Sequence, residues 1–301
     1  MLQQRVITAI VLLLVLAAVL ASPWPLSWPV FLALVSGLAV WEWLRMTSHK
    51  HLWVAKVGAV LVFLGLVAQA IIWQSQPSEG PGISLAGGVF GGSGASGFSG
   101  FSAFHASVWI SSIVWLFLVP FTLISGRVQA TASLPVWGLF APVCLYATWG
   151  GLVLWWLQGG IWLVLSLLIL VWIADIFAYF GGKRWGRNKL APAISPGKTR
   201  EGAFTGLAGV VVWMLVTANI DGSYAQLVLT RYGWALLIAI SLLLGIVSIM
   251  GDLFESLLKR RVQIKDSSGL LPGHGGVYDR IDAVVAVVPV AYLITHSVFS
   301  Q

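Results

Sequence analysis

The chain has 301 residues, of which 58% are hydrophobic and only 9% charged, with a formal net charge of +7. An average soluble domain is about 25% charged, so this composition excludes a soluble globular protein and a disordered one. The single cysteine, Cys144, excludes a disulfide framework and a cysteine-based zinc site, and positive charge on so apolar a chain points to membrane topology and an anionic substrate rather than nucleic acid.

A bilayer core about 30 Å thick takes roughly 20 apolar residues per helix. Nine segments qualify: 5–22, 26–44, 53–73, 107–125, 134–157, 160–181, 203–220, 233–254 and 281–299. The expected fold class is an all-α polytopic membrane protein. The first segment looks like a signal peptide, because small residues precede Pro23, but a second segment follows almost at once and favours an uncleaved span. Residues 74–106 are rich in Gly and Ser with scattered Phe, the composition of a flexible linker. Residues 1–125 read as an N-terminal transmembrane region of four spans. Residues 126–301 read as a C-terminal catalytic region of five spans, with polar loops at 182–202 and 255–280.

The 17 Lys and Arg residues set the orientation. With the N-terminus in the cytoplasm and nine alternating crossings, every one of them except Arg231 falls on the cytoplasmic side. The positive-inside rule therefore predicts the N-terminus in, the C-terminus out, and a polar site on the cytoplasmic face.

Carboxylates near lipid are costly, so the ten acidic residues are informative. Glu79 and Asp221 fall in outer loops; the rest lie toward the cytoplasmic side. The first polar stretch runs from Asp175 to Gly202. Asp175 and Tyr179 share a helix face. Ser195-Pro196-Gly197-Lys198-Thr199 resembles the end of a phosphate-binding P-loop, but Pro192 stands where that pattern needs Gly and no strand is predicted before it, so a Walker site is rejected. A turn with a Lys and two hydroxyls beside a helix start still suits a phosphate.

The second stretch runs from Gly251 to Asp282. Asp252, Glu255, Ser256 and Lys259 follow an i, i+3, i+4, i+7 pattern and share one helix face. Ser267–Gly276 breaks the helix, and His274-Gly275-Gly276 offers backbone that can approach a ligand. Asp279, Arg280 and Asp282 open the last span. Carboxylates from different helix ends, near basic loops, suggest Mg²⁺, which is held by one or two carboxylates plus substrate phosphates. The five histidines do not cluster as zinc ligands; His49 and His51 read as a loop pair and His296 as structural.

Residues 256–282, with Ser256, Lys259-Arg260, Lys265-Asp266, Pro272, His274-Gly275-Gly276, Asp279-Arg280 and Asp282, resemble the signature of the phosphatidate cytidylyltransferase (CDP-diacylglycerol synthase) family. Gly251 to Ser256, Ser195-Pro196, Lys198-Thr199, Glu201-Gly202 and the start around Arg5 are similar to that family as well. The first 125 residues match mainly as apolar spans, and the Gly/Ser/Phe loop departs from the pattern. The resemblance implies transfer of CMP from CTP to phosphatidic acid, giving CDP-diacylglycerol and pyrophosphate. It implies Mg²⁺ on Asp252 and Asp279, allows K⁺ beside it, and leaves Asp266, Glu255 and Asp175 as second-rank ligands. Lys198, Lys259, Arg260, Lys265 and Arg280 are then phosphate contacts, and His274 orients a phosphate or the nucleotide. Ser195, Thr199 and Ser256 donate hydrogen bonds, with Gly275 and Gly276 against the substrate. A homodimer is also implied, and the lack of a transit peptide favours a bacterial plasma (inner) membrane.

The main alternative is a related membrane nucleotidyltransferase or lipid kinase with a polyprenyl acceptor. A CDP-alcohol phosphotransferase is set aside because Asp221-Gly222-Ser223-Tyr224-Ala225-Gln226 lacks that family's Arg and following Asp pair. A transporter, with Asp175 and Glu42 lining a pathway, would need polar residues at mid-membrane in several spans, whereas here they gather at one set of helix ends.

Overall fold

The computed structural model describes residues 2–48, 52–75, 95–126, 128 and 134–299. His49, His51, Glu79 and residues 76–94 of the Gly/Ser-rich loop lie outside the described residues, as does the side chain of Arg5. Nine helices are described: α1 (Leu2–Ala21), α2 (Ser27–Thr47), α3 (Leu52–Ser75), α4 (Ala95–Ile113), α5 (Val119–Ser125), α6 (Leu134–Trp185), α7 (Arg200–Thr217), α8 (Tyr224–Arg261) and α9 (Tyr278–Phe299). A π turn at Val114–Leu118 joins α4 to α5. Each of the nine expected apolar segments is helical.

Among the described residues, five helical stretches are long and apolar enough to cross a bilayer: Ser27–Thr47, Leu52–Ser75, Ala103–Ser125, Leu134–Trp185 and Tyr224–Arg261. A straight helix of 52 residues would be about 78 Å long, so α6 cannot be one crossing. Gly160, at φ 72° and ψ −173°, breaks it where the fifth and sixth segments were expected to divide. Only glycine holds that conformation without strain. Gly233 breaks α8 in the same way at φ 75°, at the expected start of the eighth segment. Large apolar side chains such as Phe117, Phe121, Ile124, Leu139 and Phe204 are exposed, as a lipid-facing surface requires.

Two expectations are corrected. The linker predicted over 74–106 ends sooner, because α4 already begins at Ala95. Phe98, Phe101 and Phe104 recur every three residues, a helical spacing, and Phe104 is buried edge-on to Trp73 and Tyr292. The loop 182–202 is not irregular and adds a strand pair to the otherwise helical fold. After α6 it forms an antiparallel hairpin, β1 (Lys189–Ala191) with β2 (Ser195–Thr199). Pro192 sits at the turn, where its missing N–H costs no ladder bond.

The packing that positions the site is aromatic. Trp43 of α2 lies 4.8 Å from Tyr278 of α9 and 5.8 Å from Phe254 of α8, centroid to centroid. Phe254 also meets Trp115 and Trp137. All five rings are buried, and such pairs each add about 0.5–1.5 kcal/mol beyond their area. Gly251 of α8 lets α9 come close: a Cβ there would meet the Asp282 carbonyl at 2.8 Å and the Ala283 Cα at 2.9 Å. Cys144 is buried on the same side, with its Sγ 3.1 Å from Trp115 Nε1.

Candidate active site

The stripe expected on α8 is present. Ser256 Oγ is 3.5 Å from Asp252 Oδ1, and Lys259 Nζ is 2.6 Å from Glu255 Oε2. The close contact at Gly251 brings Asp282 of α9 against this stripe. As a result Asp252, Glu255 and Asp282 each offer an oxygen, and the three oxygens lie within 4.8 Å of one another. Glu255 and Asp282 are buried, and Glu255 Oε1 has no hydrogen-bond partner. Three crowded carboxylates, one with an unmet buried oxygen, call for positive charge. An all-oxygen set of this kind fits a hard divalent cation.

Asp279 is placed differently. Its Oδ1 accepts from Lys259 Nζ at 2.9 Å, and its carboxylate also accepts from the Ser267 N–H at 3.0 Å and the Gly276 N–H at 2.8 Å. Burial alone would raise the Asp279 carboxyl, but the neighbouring Glu255 side chain, the Gly276 N–H and the Lys259 ammonium hold it below the ordinary carboxylate range. Asp279 is thus joined to the three-carboxylate set through Lys259. Gly275 has φ +84°, and a Cβ there would sit 2.5 Å from Asp279 Oδ2.

The hairpin supplies Lys198, whose Nζ is 2.5 Å from Asp252 Oδ2. Thr199 Oγ1 accepts from the Gly202 N–H at 3.1 Å and caps α7. Ser195 pairs with Ala191 at the start of β2. Glu201 holds the hairpin's base, accepting from the Arg187 N–H at 3.1 Å and from Asn188 Nδ2 at 2.8 Å. Its own N–H, then against burial those of Arg187 and Asn188, keep the Glu201 carboxyl down at about 2. Arg260 Nε donates to the Ile194 carbonyl at 3.3 Å, so this predicted phosphate contact ties α8 to the hairpin. Asp175 is exposed on α6, near enough to Asp252, Lys198 and Arg280 to feel their charges.

Lys265, Asp266, His274, Gly275 and Arg280 line an open cavity of about 530 Å³, with Ser268, Leu271 and Pro272. That is the size of a small-molecule site. Arg280 donates through Nε and Nη2 to the His274 carbonyl at 3.0 and 2.6 Å, fixing the rim. Gly276 does not line the cavity; it packs against Ser267 and Glu42.

Glu42 is the residue that sequence reasoning missed. It is wholly buried on α2 and accepts from Ser267 Oγ at 3.0 Å, Ser268 Oγ, the Val277 N–H at 3.0 Å and the Tyr278 N–H at 2.6 Å. A side chain so saturated inside the fold does not line a pathway, which removes one support of the transport reading. The signal was a lone carboxylate inside an apolar span, where charge persists only with partners.

A sequence model of the cytidylyltransferase family matches residues 3–298. The phosphatidate cytidylyltransferase of Pseudomonas aeruginosa is 35% identical over 96% of this chain and 95% of its own length. That of Haemophilus influenzae is 33% identical over 96% of each. That of Bacillus subtilis is 42% identical over 137 residues, 46% of this chain and 48% of its own length. With a family match spanning nearly every residue, the chain belongs to the cytidylyltransferase family.

Proposed function

We propose that the chain transfers CMP from CTP to phosphatidic acid, forming CDP-diacylglycerol and pyrophosphate at the cytoplasmic face of a bacterial inner membrane. The observation that carries this reading is the meeting of Asp252, Glu255 and Asp282 with Lys198 and Lys259 beside a polar cavity. It is supported by the relatives that bear that name over the whole chain.

In this reading a phosphate oxygen of the lipid attacks the α-phosphorus of CTP. The new bond is P–O, and the bond broken is the one from the α-phosphorus to the oxygen bridging to the β-phosphorus. The nucleophile is already ionised near neutral pH, so no strong base is required. Catalysis rests on positioning and on charge neutralisation. Asp252, Glu255 and Asp282 would hold Mg²⁺, with K⁺ as a second cation, and the cation would neutralise charge on the phosphates. Lys198 sits where it can pass from Asp252 to a substrate phosphate. Lys259 keeps Glu255 and Asp279 together. Lys265, His274 and Arg280 present donors along the cavity for CTP.

Nine crossings with the N-terminus inside put the hairpin, the α8 end and the signature loop on the side where CTP is found. A homodimer completes the reading.

The test is pyrophosphate release by purified protein in mixed micelles with phosphatidic acid, CTP and Mg²⁺, following the lipid product. Release that needs all three, with CDP-diacylglycerol formed, is the expected result. Release with polyprenyl phosphate but not phosphatidic acid would overturn the acceptor and keep the chemistry.

A further inference from the structure

We infer that Glu42 is a positioning residue for the reaction: from α2 it sets the place of the signature loop and of α9, and through them the geometry of the carboxylates that receive the cation. The inference deepens the function proposed above and rests on it for its kinetic readout.

Four donors converge on this one carboxylate. Two are the Val277 and Tyr278 N–H groups, which open α9. The first N–H groups of a helix have no partner within it and carry the positive end of the dipole. Caps of this kind normally come from the residue just before the helix; here the cap comes from a span more than two hundred residues earlier in the chain. It fixes where α9 begins, and Asp282 lies one turn after Tyr278 on the same face.

The other two donors are the hydroxyls of Ser267 and Ser268. Ser267 works in both directions: its hydroxyl is bound by Glu42, while its N–H is bound by Asp279. The loop is therefore held between two carboxylates. Asp279 grips Lys259, which grips Glu255 of the three-carboxylate set. Displacing the loop loosens this chain of contacts and the cavity wall at Ser268 together.

Gly276 gives independent support. A Cβ there would fall on Ser267 Oγ, 2.5 Å from Glu42 Oε2 and 2.6 Å from Oε1. The glycine of the signature is thus the space into which the Glu42 carboxylate fits. Trp43, the next residue, packs on Tyr278 at 4.8 Å, so α2 grips the start of α9 with two neighbouring side chains.

The test compares wild type, Glu42→Gln, Glu42→Asp and Ser267→Ala. Pyrophosphate release is measured against Mg²⁺ and CTP, and Mn²⁺ binding is measured by electron paramagnetic resonance. Glu42→Gln keeps the length but turns an NH₂ toward donors; it is expected to lower kcat about 10–100-fold, as loss of an outer-shell partner does, and to raise the Mg²⁺ needed for half-maximal rate. Glu42→Asp restores part of both. Ser267→Ala moves the same Mg²⁺ midpoint by less.

A variant that merely leaves less folded protein lowers the rate without moving the Mg²⁺ or CTP midpoints, and that result overturns the inference. Should Glu42→Gln fail to fold, Ser267→Ala decides, and an unmoved midpoint there counts against it. Should the wild type make no CDP-diacylglycerol, the proposed reaction fails by itself, and Mn²⁺ binding decides instead: equal affinity in wild type and Ser267→Ala overturns the positioning role, while weaker affinity in the variant upholds it.

Discussion

Lys198 Nζ and Asp252 Oδ2 lie 2.5 Å apart, one on the hairpin after α6 and the other on α8. Each side chain is a little over a quarter exposed, so the pair is open to exchange with solvent and ligands. A cation binding to Asp252 must compete with this ammonium, and an arriving phosphate can draw it away. In the proposed reaction the two residues would link cation binding to nucleotide binding.

Replacing Lys198 by alanine should act in opposite directions on the two ligands. Without the ammonium, Asp252 binds Mg²⁺ with less competition, so the half-saturating Mg²⁺ concentration should fall. The phosphate loses a positive partner in the transition state, and kcat/KM for CTP should fall about 10²–10³-fold, the usual range for one removed stabilising donor. Steady-state rates over a grid of Mg²⁺ and CTP check both signs. A fall in rate with a raised Mg²⁺ requirement would count against Lys198 as a competitor.

Asp252→Asn and Asp279→Asn should both abolish turnover, by different routes. The first removes an oxygen from the three-carboxylate set, so Mn²⁺ binding should weaken along with the rate. The second removes the negative charge facing Lys259 and turns one of the two acceptor oxygens that hold Lys259, Ser267 and Gly276 into a donor, so the loop loosens and the KM for CTP should rise as well. Near wild-type rates in either protein would remove that residue from the mechanism.

Much of this site is legible in the sequence. The i, i+3, i+4, i+7 stripe on α8 required only the helical period, and Gly160 and Gly233 fall where the apolar segments were expected to divide. The partnerships were not legible. Asp279 and Asp282 are three apart at one helix start, yet the close approach at Gly251 gives Asp282 to the carboxylate set while Lys259 and two loop N–H groups occupy Asp279. Which carboxylate faces which neighbour depends on the crossing of α8 and α9, and periodicity is silent on that. The resemblance implies a hydrogen-bond donor at Thr199 and a phosphate contact at Arg260; the sequence does not show that Thr199 also caps α7 and that Arg260 also ties α8 to the hairpin. Glu42 was visible as a costly charge in a span, but its partners lie in the loop between α8 and α9 and at the first residue of α9.

Removing the divalent cation should destabilise the protein, because Asp252, Glu255 and Asp282 are then left to repel one another. Whatever binds only the folded state stabilises it by mass action, by about 2.7 kcal/mol at a hundred times its Kd. EDTA should therefore lower the Tm of the wild type in detergent, and Mg²⁺ should restore it. Glu255→Gln removes one of the three charges, so its Tm in EDTA should exceed that of the wild type while its gain on adding Mg²⁺ shrinks. An undiminished Mg²⁺ gain in that variant would take Glu255 out of the cation site.

The orientation can be tested with the chain's own cysteine as background. Cys144 is buried and should not react with a membrane-impermeant maleimide in intact cells. Asp221 is exposed and bonded only locally, to Gln226 Nε2 at 2.6 Å, so Asp221→Cys should cost no more than about 0.5 kcal/mol, as surface changes do. Lys189 is exposed at the start of the hairpin, on the opposite side if α7 crosses the bilayer once. With the N-terminus inside, Asp221→Cys should label in intact cells, whereas Lys189→Cys should label only after the membrane is opened. Both variants should keep their activity, since neither residue belongs to the carboxylate set or the cavity wall. The reverse labelling pattern would put the site on the face away from CTP and overturn the orientation with the N-terminus inside.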